Sequence, residues 1–186
     1  MTGLDHNDER EIIGRCLAGE REAFATLVDR YRSMAFTVAY RMVGDGDAAN
    51  DLAQEGFIAA YRDLRSFRQD SRFSTWLCSI VVNKCRDHLR SGKKMVPVDA
   101  VPDLRAGAAA DPERAAAIEQ TEDRLQQALR ELPPEYREVL VLKHVEGWSY
   151  EEIAGVLGLS AGALKVRAHR AREMLRTILE RSGVMP

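Results

Sequence analysis

Apolar residues fall at helical spacing along most of this chain. From Arg21 to Met42, Phe24, Leu27, Val28, Tyr31, Met34, Ala35, Val38, Ala39 and Met42 recur every three or four positions, as a helix packed on a core requires. Ile12, Ile13 and Leu17 predict a short helix before it, and Gly44-Asp45-Gly46-Asp47 predicts a turn and helix cap after it. A helix over about 47–64 takes its apolar side from Leu52, Ala53, Ala60, Tyr61 and Leu64, and one from Ser74 to about Arg90 from Trp76, Leu77, Ile80, Val81 and Leu89. Periodicity then vanishes over 92–112, where glycine, proline and alanine are plentiful and a linker is expected. It returns from Pro112 to Leu132, with Ile118, Leu125, Ala128, Leu129 and Leu132 inward, and Pro133-Pro134 ends that helix. A short helix carrying Tyr136, Val139, Leu140 and Leu142 follows. With no strand pattern and no repeat, the expected fold is all-α: two small helical domains, 1–91 and 113–186, joined by a flexible linker, 92–112.

The densest local signals lie between Trp148 and Arg176. Ser149 and Glu152 have the spacing of a capping box, and the helix they start runs through Ile153, Ala154 and Leu157 to Gly158. Ser160 caps a second helix with Leu164, Ala168, Ala171 and Leu175 on one stripe. Two helices joined by a glycine turn are the pattern of a helix-turn-helix, whose second helix can enter a DNA major groove. Opposite its apolar stripe stand Val166, His169 and Arg170, with Lys165 and Arg167 on the flanks. From Ser160 to Arg181 six bases face two acids, a local net of +4 in a chain whose formal net charge is −2. Such a helix can neutralise phosphates and release counterions. An Arg-rich surface helix alone would be unremarkable, but the cap, the turn and the charge bias together point to DNA binding.

Elsewhere charge narrows the choices. Asp47, Asp51 and Glu55 stand at steps of four, where like charges repel, so they form either a solvated face or a stripe that meets a basic partner. Basic and aromatic residues interleave at Arg65, Phe67, Arg68, Arg72, Phe73 and Trp76, a composition suited to single-stranded nucleic acid, although Phe73 and Trp76 read better as core anchors. Lys84, Arg86, Arg90, Lys93 and Lys94 make a second positive face, far in sequence from the first. A calcium loop at Asp45 fails, because Ala49 and Asn50 stand where a ligand and a glycine are required. Cys85 and His88 offer only two neighbouring ligands, so no metal or other cofactor is expected. The odd set Cys16, Cys78 and Cys85 suits reduced thiols in a cytoplasmic protein, and no apolar run nears the roughly 18 residues of a membrane span. His6, His88, His144 and His169 have no partners at catalytic spacing, so neither an enzyme nor a small-molecule substrate is expected.

These blocks carry a family likeness. DAANDLAQEGFIAAY followed by RSFRQDSRFSTWLCSIVVNKCRDHLR, and LPPEYREVLVLKHVEGWSYEEIAGVLGLS followed by KVRAHRAR, resemble the extracytoplasmic-function (group IV) sigma factors of the bacterial sigma-70 family over nearly the whole chain. The resemblance implies an alternative sigma factor that binds core RNA polymerase and directs promoter-specific initiation. It implies that Asp47, Asp51, Gln54 and Glu55 bind the polymerase, docking on the clamp coiled coil of the β′ subunit, with β as a further contact. Arg65, Ser66, Phe67, Arg68 and Arg72, with Asn83 and Arg86, would capture a base flipped out of the minus-ten element. Lys165 and Arg167 would hold phosphates at the minus-thirty-five element, while Val166, His169 and Arg170 contact its bases. The family also implies an anti-sigma factor, often membrane-tethered, that holds the protein inactive. The active protein would be cytoplasmic and nucleoid-associated, the inactive one sequestered at the membrane by that partner. Where the family usually reads G-T-V-K-S-R, this chain has Gly162-Ala163-Leu164-Lys165-Val166-Arg167. Two hydroxyls give way to an apolar surface suited to a thymine methyl. The other reading is a helix-turn-helix regulator with a helical sensor domain, which would need neither the acidic stripe nor the base-capturing loop.

Overall fold

The computed structural model describes residues 6–68, 71–91, 112–145 and 147–182. All regular structure among them is helical: α1 (His6–Leu17), α2 (Ala23–Val43), α3 (Gly46–Arg62), a single 3₁₀ turn (Leu64–Ser66), α4 (Phe73–Arg90), α5 (Pro112–Glu131), α6 (Pro134–Val145), α7 (Tyr150–Leu157) and α8 (Ala161–Arg181). Each helix that the apolar spacing predicts is present, within a few residues of its expected bounds. The expected linker lies outside the described residues, except that Pro112 opens α5, where a residue without an N–H is least costly.

Local chemistry sets the ends. Gly44 takes φ 77° after α2 and donates its N–H to the carbonyl of Tyr40 at 2.8 Å, a left-handed C-cap. One residue on, the Asp45 carboxylate accepts from the Ala48 N–H at 2.8 Å and so starts α3. The Gly-Asp-Gly-Asp segment is thus a stop followed by a start.

Helices α2, α3 and α4 pack on one another with α1 alongside, and Leu27, Val38, Met42, Phe73, Leu77 and Val81 are fully buried among them. Burial of one such side chain contributes about 1.5–3 kcal/mol. In the C-terminal half, α8 packs on α5, α6 and α7. The two halves also join, with α2 against α5 and α6 and α4 against α7. Val139, Val141, Leu142, Trp148 and Ile153 belong to the same apolar cluster as Leu27 and Phe73. A second, smaller cluster, including Leu129, Leu132, Leu140, Ala171 and Ile178, ties α8 to α5 and α6.

The cysteines follow the packing. Cys16, Cys78 and Cys85 are free and buried, and burial pushes the Cys85 thiol up to about 12, which leaves it an inert core group. Cys85 is wholly inside.

The contact between α3 and α4 is close at Gly56, where a Cβ would meet Val81 Cγ2 at 2.6 Å. Alanine gains up to about 1 kcal/mol of helix propensity over glycine, whereas overpacking a rigid core costs about 1–3 kcal/mol. Because Val81 is β-branched and fully buried, the clash should win. Gly56→Ala is therefore expected to lower the thermal midpoint by several degrees, measured by differential scanning calorimetry; an unchanged or raised midpoint would mean the helices can separate freely there.

Candidate polymerase and promoter interfaces

The helix-turn-helix forms as its sequence dictates. Ser149 Oγ accepts from the Glu152 N–H at 3.1 Å, and Glu152 Oε2 accepts from the Ser149 N–H at 2.8 Å. That amide, then the serine hydroxyl and the nearby Arg72 and Lys143 charges, hold the Glu152 carboxyl below its usual range against the opposing effect of burial. Gly158 turns the chain at φ 67°, and Ser160 Oγ receives the Ala163 N–H at 3.2 Å to start α8.

Helix α8 then sorts its residues by face. Leu164, Ala168, Ala171 and Ile178 are buried, and Leu175 is half-buried beside them. Ile178 extends the expected stripe by one turn. On the outer face Lys165, Val166, His169 and Arg170 are exposed; Val166, at 54%, is the most exposed large apolar side chain of the helix. Among the described residues Arg170 has no ion-pair partner, while His169 Nε2 lies 3.4 Å from Glu173 one turn on. Lys165 Nζ lies 5.9 Å above the Tyr150 ring, on whose centroid Lys143 Nζ also bears at 5.0 Å. Arg167 differs. Its side chain is only 29% exposed and turns towards Glu138, with Nη1 at 3.6 Å from Oε1.

On α3, Asp47, Asp51, Gln54 and Glu55 are all exposed. Glu55 already meets a base, since Lys84 Nζ of α4 donates to its Oε2 at 2.9 Å. Just past the acids stands Ile58, 68% exposed, with Tyr61 at 39% beside it. Ile58 lies seven residues after Asp51, hence two turns along the same face. That spacing was readable in the sequence as an isoleucine at the end of an acidic stripe.

The residues expected at the minus-ten element divide. Arg65, Arg68 and Arg72 are exposed around the 3₁₀ turn and the start of α4, and Ser66 Oγ donates to the Asp63 carbonyl at 2.7 Å. Phe67 stands apart from the rest of the expected set. It is buried, with its ring centroid 5.8 Å from Phe73 and 5.0 Å from Trp76, and so braces the loop from inside. The apolar ring gains more from these two neighbours than from solvent. Phe73 is a core anchor as expected, and Trp76 is half-buried. Asn83 is exposed, while Arg86 is drawn into the seam between the two halves. Its Nε and Nη2 donate to the two oxygens of Glu138 at 2.8 and 2.9 Å, a bidentate pair that raises the pKa of the guanidinium.

Glu138 was not singled out in the sequence, nor was Arg137 beside it. Both are buried. The Arg137 guanidinium donates to the Met42 carbonyl in α2, and to the carbonyls of Arg130 and Leu132 at 2.8 and 3.0 Å. Burial, and then the Arg130 charge, lowers its pKa. Gln126 donates to the Tyr40 carbonyl at 2.9 Å, so side chains of α5 and α6 receive the last carbonyls of α2. The available signal was an Arg-Glu pair set directly before the apolar run Val139–Leu142.

Comparison with known proteins agrees with this arrangement. The model of Sigma-70 region 2 matches residues 27–95, and that of Sigma-70 region 4 matches residues 122–175. The ECF RNA polymerase sigma factor SigW of Bacillus subtilis (strain 168) is 38% identical over 176 residues, covering 90% of this chain and 94% of its own. This chain belongs to the ECF sigma factors. The ECF RNA polymerase sigma-E factor of Escherichia coli (strain K12) is 34% identical over 176 residues, covering 90% of this chain and 92% of its own. Among solved structures, that of CnrH in complex with the cytosolic domain of CnrY matches with a TM-score of 0.68 at 32% identity, covering 95% of this chain and 98% of that one. The sigma factor RpoE of Bartonella quintana, solved with the anti-sigma factor NepR, shares the fold with a TM-score of 0.68 at 24% identity, over 84% of this chain and 96% of its own.

The capping box of this sigma factor makes stability depend on pH in a defined direction. The Glu152 pKa is depressed in the folded chain, so its contribution is complete above the unfolded carboxyl value, near 4.3, and is lost as pH falls through the lower folded value. Glu152→Gln should lower stability by about 0.5–1 kcal/mol at pH 7. The gap to the parent chain should close as pH falls from the unfolded carboxyl value through the lower folded one, where the parent carboxyl also becomes neutral. Urea melts at pH 7, 5 and 3.5 check this; a gap that widens towards acid would reverse the assignment.

Proposed function

We propose that this chain joins core RNA polymerase through α3 and directs it to promoters whose minus-thirty-five element is read by α8. The observation that carries the reading is the sorting of α8, with Lys165, Val166, His169 and Arg170 exposed on one face while Leu164, Ala168 and Ala171 are buried on the other. Arg170 lies one turn from Val166, placed for a bidentate pair with a guanine edge, and Val166 offers a methyl surface to thymine. Lys165 stands to the side, as a phosphate contact, and Arg167 joins it there once it leaves Glu138. Arg65, Ser66, Arg68, Arg72, Asn83 and Arg86 form the minus-ten surface, with Phe67 as its internal brace.

Asp47, Asp51, Gln54 and Glu55, around Ile58, form the face for the basic β′ coiled coil. Residues 1–91 and 113–186 act as two units on either side of 92–112. No chemistry is catalysed by the chain, and no cofactor takes part. Among the described residues no helix is long and apolar enough to cross a membrane, and a cytoplasmic site of action follows from the role. Regulation by an anti-sigma factor is carried over from CnrH and CnrY. The groove between α2, α5, α6 and α8, with Met34, Leu125 and Leu140 inside and Arg30, Arg41 and Arg172 on its rim, suits an acidic amphipathic helix of such a partner.

Purified chain added to core polymerase should produce transcripts from specific promoters, and sequencing the DNA bound by that holoenzyme gives both elements. No transcription would favour a helix-turn-helix regulator. Asp51→Lys with Glu55→Lys should weaken competition for core enzyme far more than either change alone, with helix content unchanged, since single surface charges contribute little.

Arg170→Ala should cost ~1–3 kcal/mol at the preferred minus-thirty-five sequence and relax selection at one base pair. Lys165→Ala should weaken all sequences alike and reduce the salt slope by roughly one. A library of minus-thirty-five sequences at two salt concentrations distinguishes them, and the opposite pattern would mean that α8 sits rotated in the groove.

A further inference from the structure

The two DNA surfaces, far apart in sequence, meet on one carboxylate. Glu138 Oε1 receives Arg86 Nη2 from α4 at 2.9 Å and lies 3.6 Å from Arg167 Nη1 of α8, while Oε2 takes Arg86 Nε at 2.8 Å. The Glu138 side chain is 4% exposed, against 24% for Arg86 and 29% for Arg167. A buried carboxylate with bidentate geometry and a second guanidinium holds both arginines as a phosphate group would. The minus-ten and minus-thirty-five elements are about 25 base pairs apart, roughly 85 Å along B-DNA at 3.4 Å per pair. Two guanidinium groups within reach of one oxygen cannot occupy both elements at once. The arrangement seen is therefore closed with respect to the promoter.

We propose that Glu138 is an internal latch that mimics a phosphate and holds the free sigma factor shut by occupying Arg86 and Arg167 together. The proposal rests on the reading of α4 and α8 as promoter surfaces. Three further contacts across the same seam act with it: Arg137 on the Met42 carbonyl, Gln126 on the Tyr40 carbonyl, and Arg130 packed over Gly44, whose Cβ would meet Arg130 Nε at 2.2 Å. Unlike these, Glu138 engages only residues that DNA also claims. Closure and promoter binding thus compete for the same two cations, and core polymerase, by holding the halves apart, frees both. No part of the device requires a second protein.

The test uses the full chain in three forms: parent, Glu138→Gln and Arg86→Gln. Solution X-ray scattering of the parent should give a radius of gyration near the ~16–18 Å of a compact chain of this length, and both variants should be larger by roughly a tenth or more. A parent well above 20 Å overturns the latch without reference to any variant.

Binding to a minus-thirty-five duplex, taken from the holoenzyme-bound DNA, is then measured without polymerase. Both variants should bind on the order of tenfold tighter than the parent, as expected when a binding-competent state rises from a minor fraction. Arg86→Gln is decisive. It removes a positive charge that lies on α4, outside the minus-thirty-five reader, so a gain cannot come from a new DNA contact. Variants with parental helix content by circular dichroism that scatter like the parent and bind no tighter overturn the proposal. A variant that does not fold leaves the other variant and the parent's dimensions to decide it. Transcription by the parent with core polymerase is scored separately: if it fails, the sigma reading fails, whereas transcription with no gain in either variant removes the latch alone.

Discussion

Helix α6 has no solvent face over Val139, Leu140, Val141 and Leu142, four consecutive residues that are all buried. A helix buried all round must be covered on every side. Helices α7 and α8 cover it from within the C-terminal half, and α2 covers it from the N-terminal half. Much of the structure depends on this requirement. Trp148 fills the junction with α7, Lys143 donates to the Trp148 carbonyl at 2.6 Å, and the helix-turn-helix is thereby hung on α6 in a fixed orientation. A sigma factor must nevertheless separate its two promoter readers. The α2-facing side of α6 is then uncovered, and leaving such a surface in water costs about 25 cal/mol per Å². Opening exposes that surface, so it is most favourable where another surface supplies the burial or holds the halves apart.

The polar groups in the seam make closure specific as well as apolar. Arg137 and Glu138 are neighbours of opposite charge, yet they do not pair with each other. Arg137 turns to backbone carbonyls of α2 and of the α5–α6 turn, and Glu138 to guanidinium groups of α4 and α8. Buried charged groups cost several kcal/mol each unless their partners are well placed. An apolar seam alone could slide by a helical turn at little cost. A seam that must satisfy Arg137, Glu138 and Gln126 together has one register.

The helices were legible because their apolar spacing is unbroken, and those of the helix-turn-helix also because their caps are strong. Ser149, Glu152, Gly158 and Ser160 each act locally, through an amide or a left-handed turn within four residues, so the helix-turn-helix could be read before any tertiary contact was known. What lay beyond reading depends on tertiary contact. Arg86 and Arg167 looked like free cations, since nothing near them in sequence announces a carboxylate 52 residues after one and 29 before the other. Phe67 sat among arginines and read as a platform for bases, because the neighbours that bury it, Phe73 and Trp76, become neighbours only once the loop closes on α4. Ile58 was passed over for the converse reason: an apolar residue in a helical stretch reads as core, although its step of seven from Asp51 placed it on the acidic side.

The charge distribution bears on how such a protein reaches its promoter. The chain carries a formal net charge of −2, although α8 alone is strongly basic. Long-range attraction to DNA follows the whole field, and a net acidic chain has little of it. With Arg167 and Arg86 neutralised at Glu138, the closed chain presents still fewer free cations to a polyanion whose grip on proteins scales with the phosphates neutralised. The same acids that weaken this approach, Asp47, Asp51 and Glu55 on α3, are the ones a basic polymerase surface would attract. On the proposed roles of these faces, an order of events follows from the signs: the acidic face is steered to the polymerase first, and the basic faces meet DNA as part of that larger assembly.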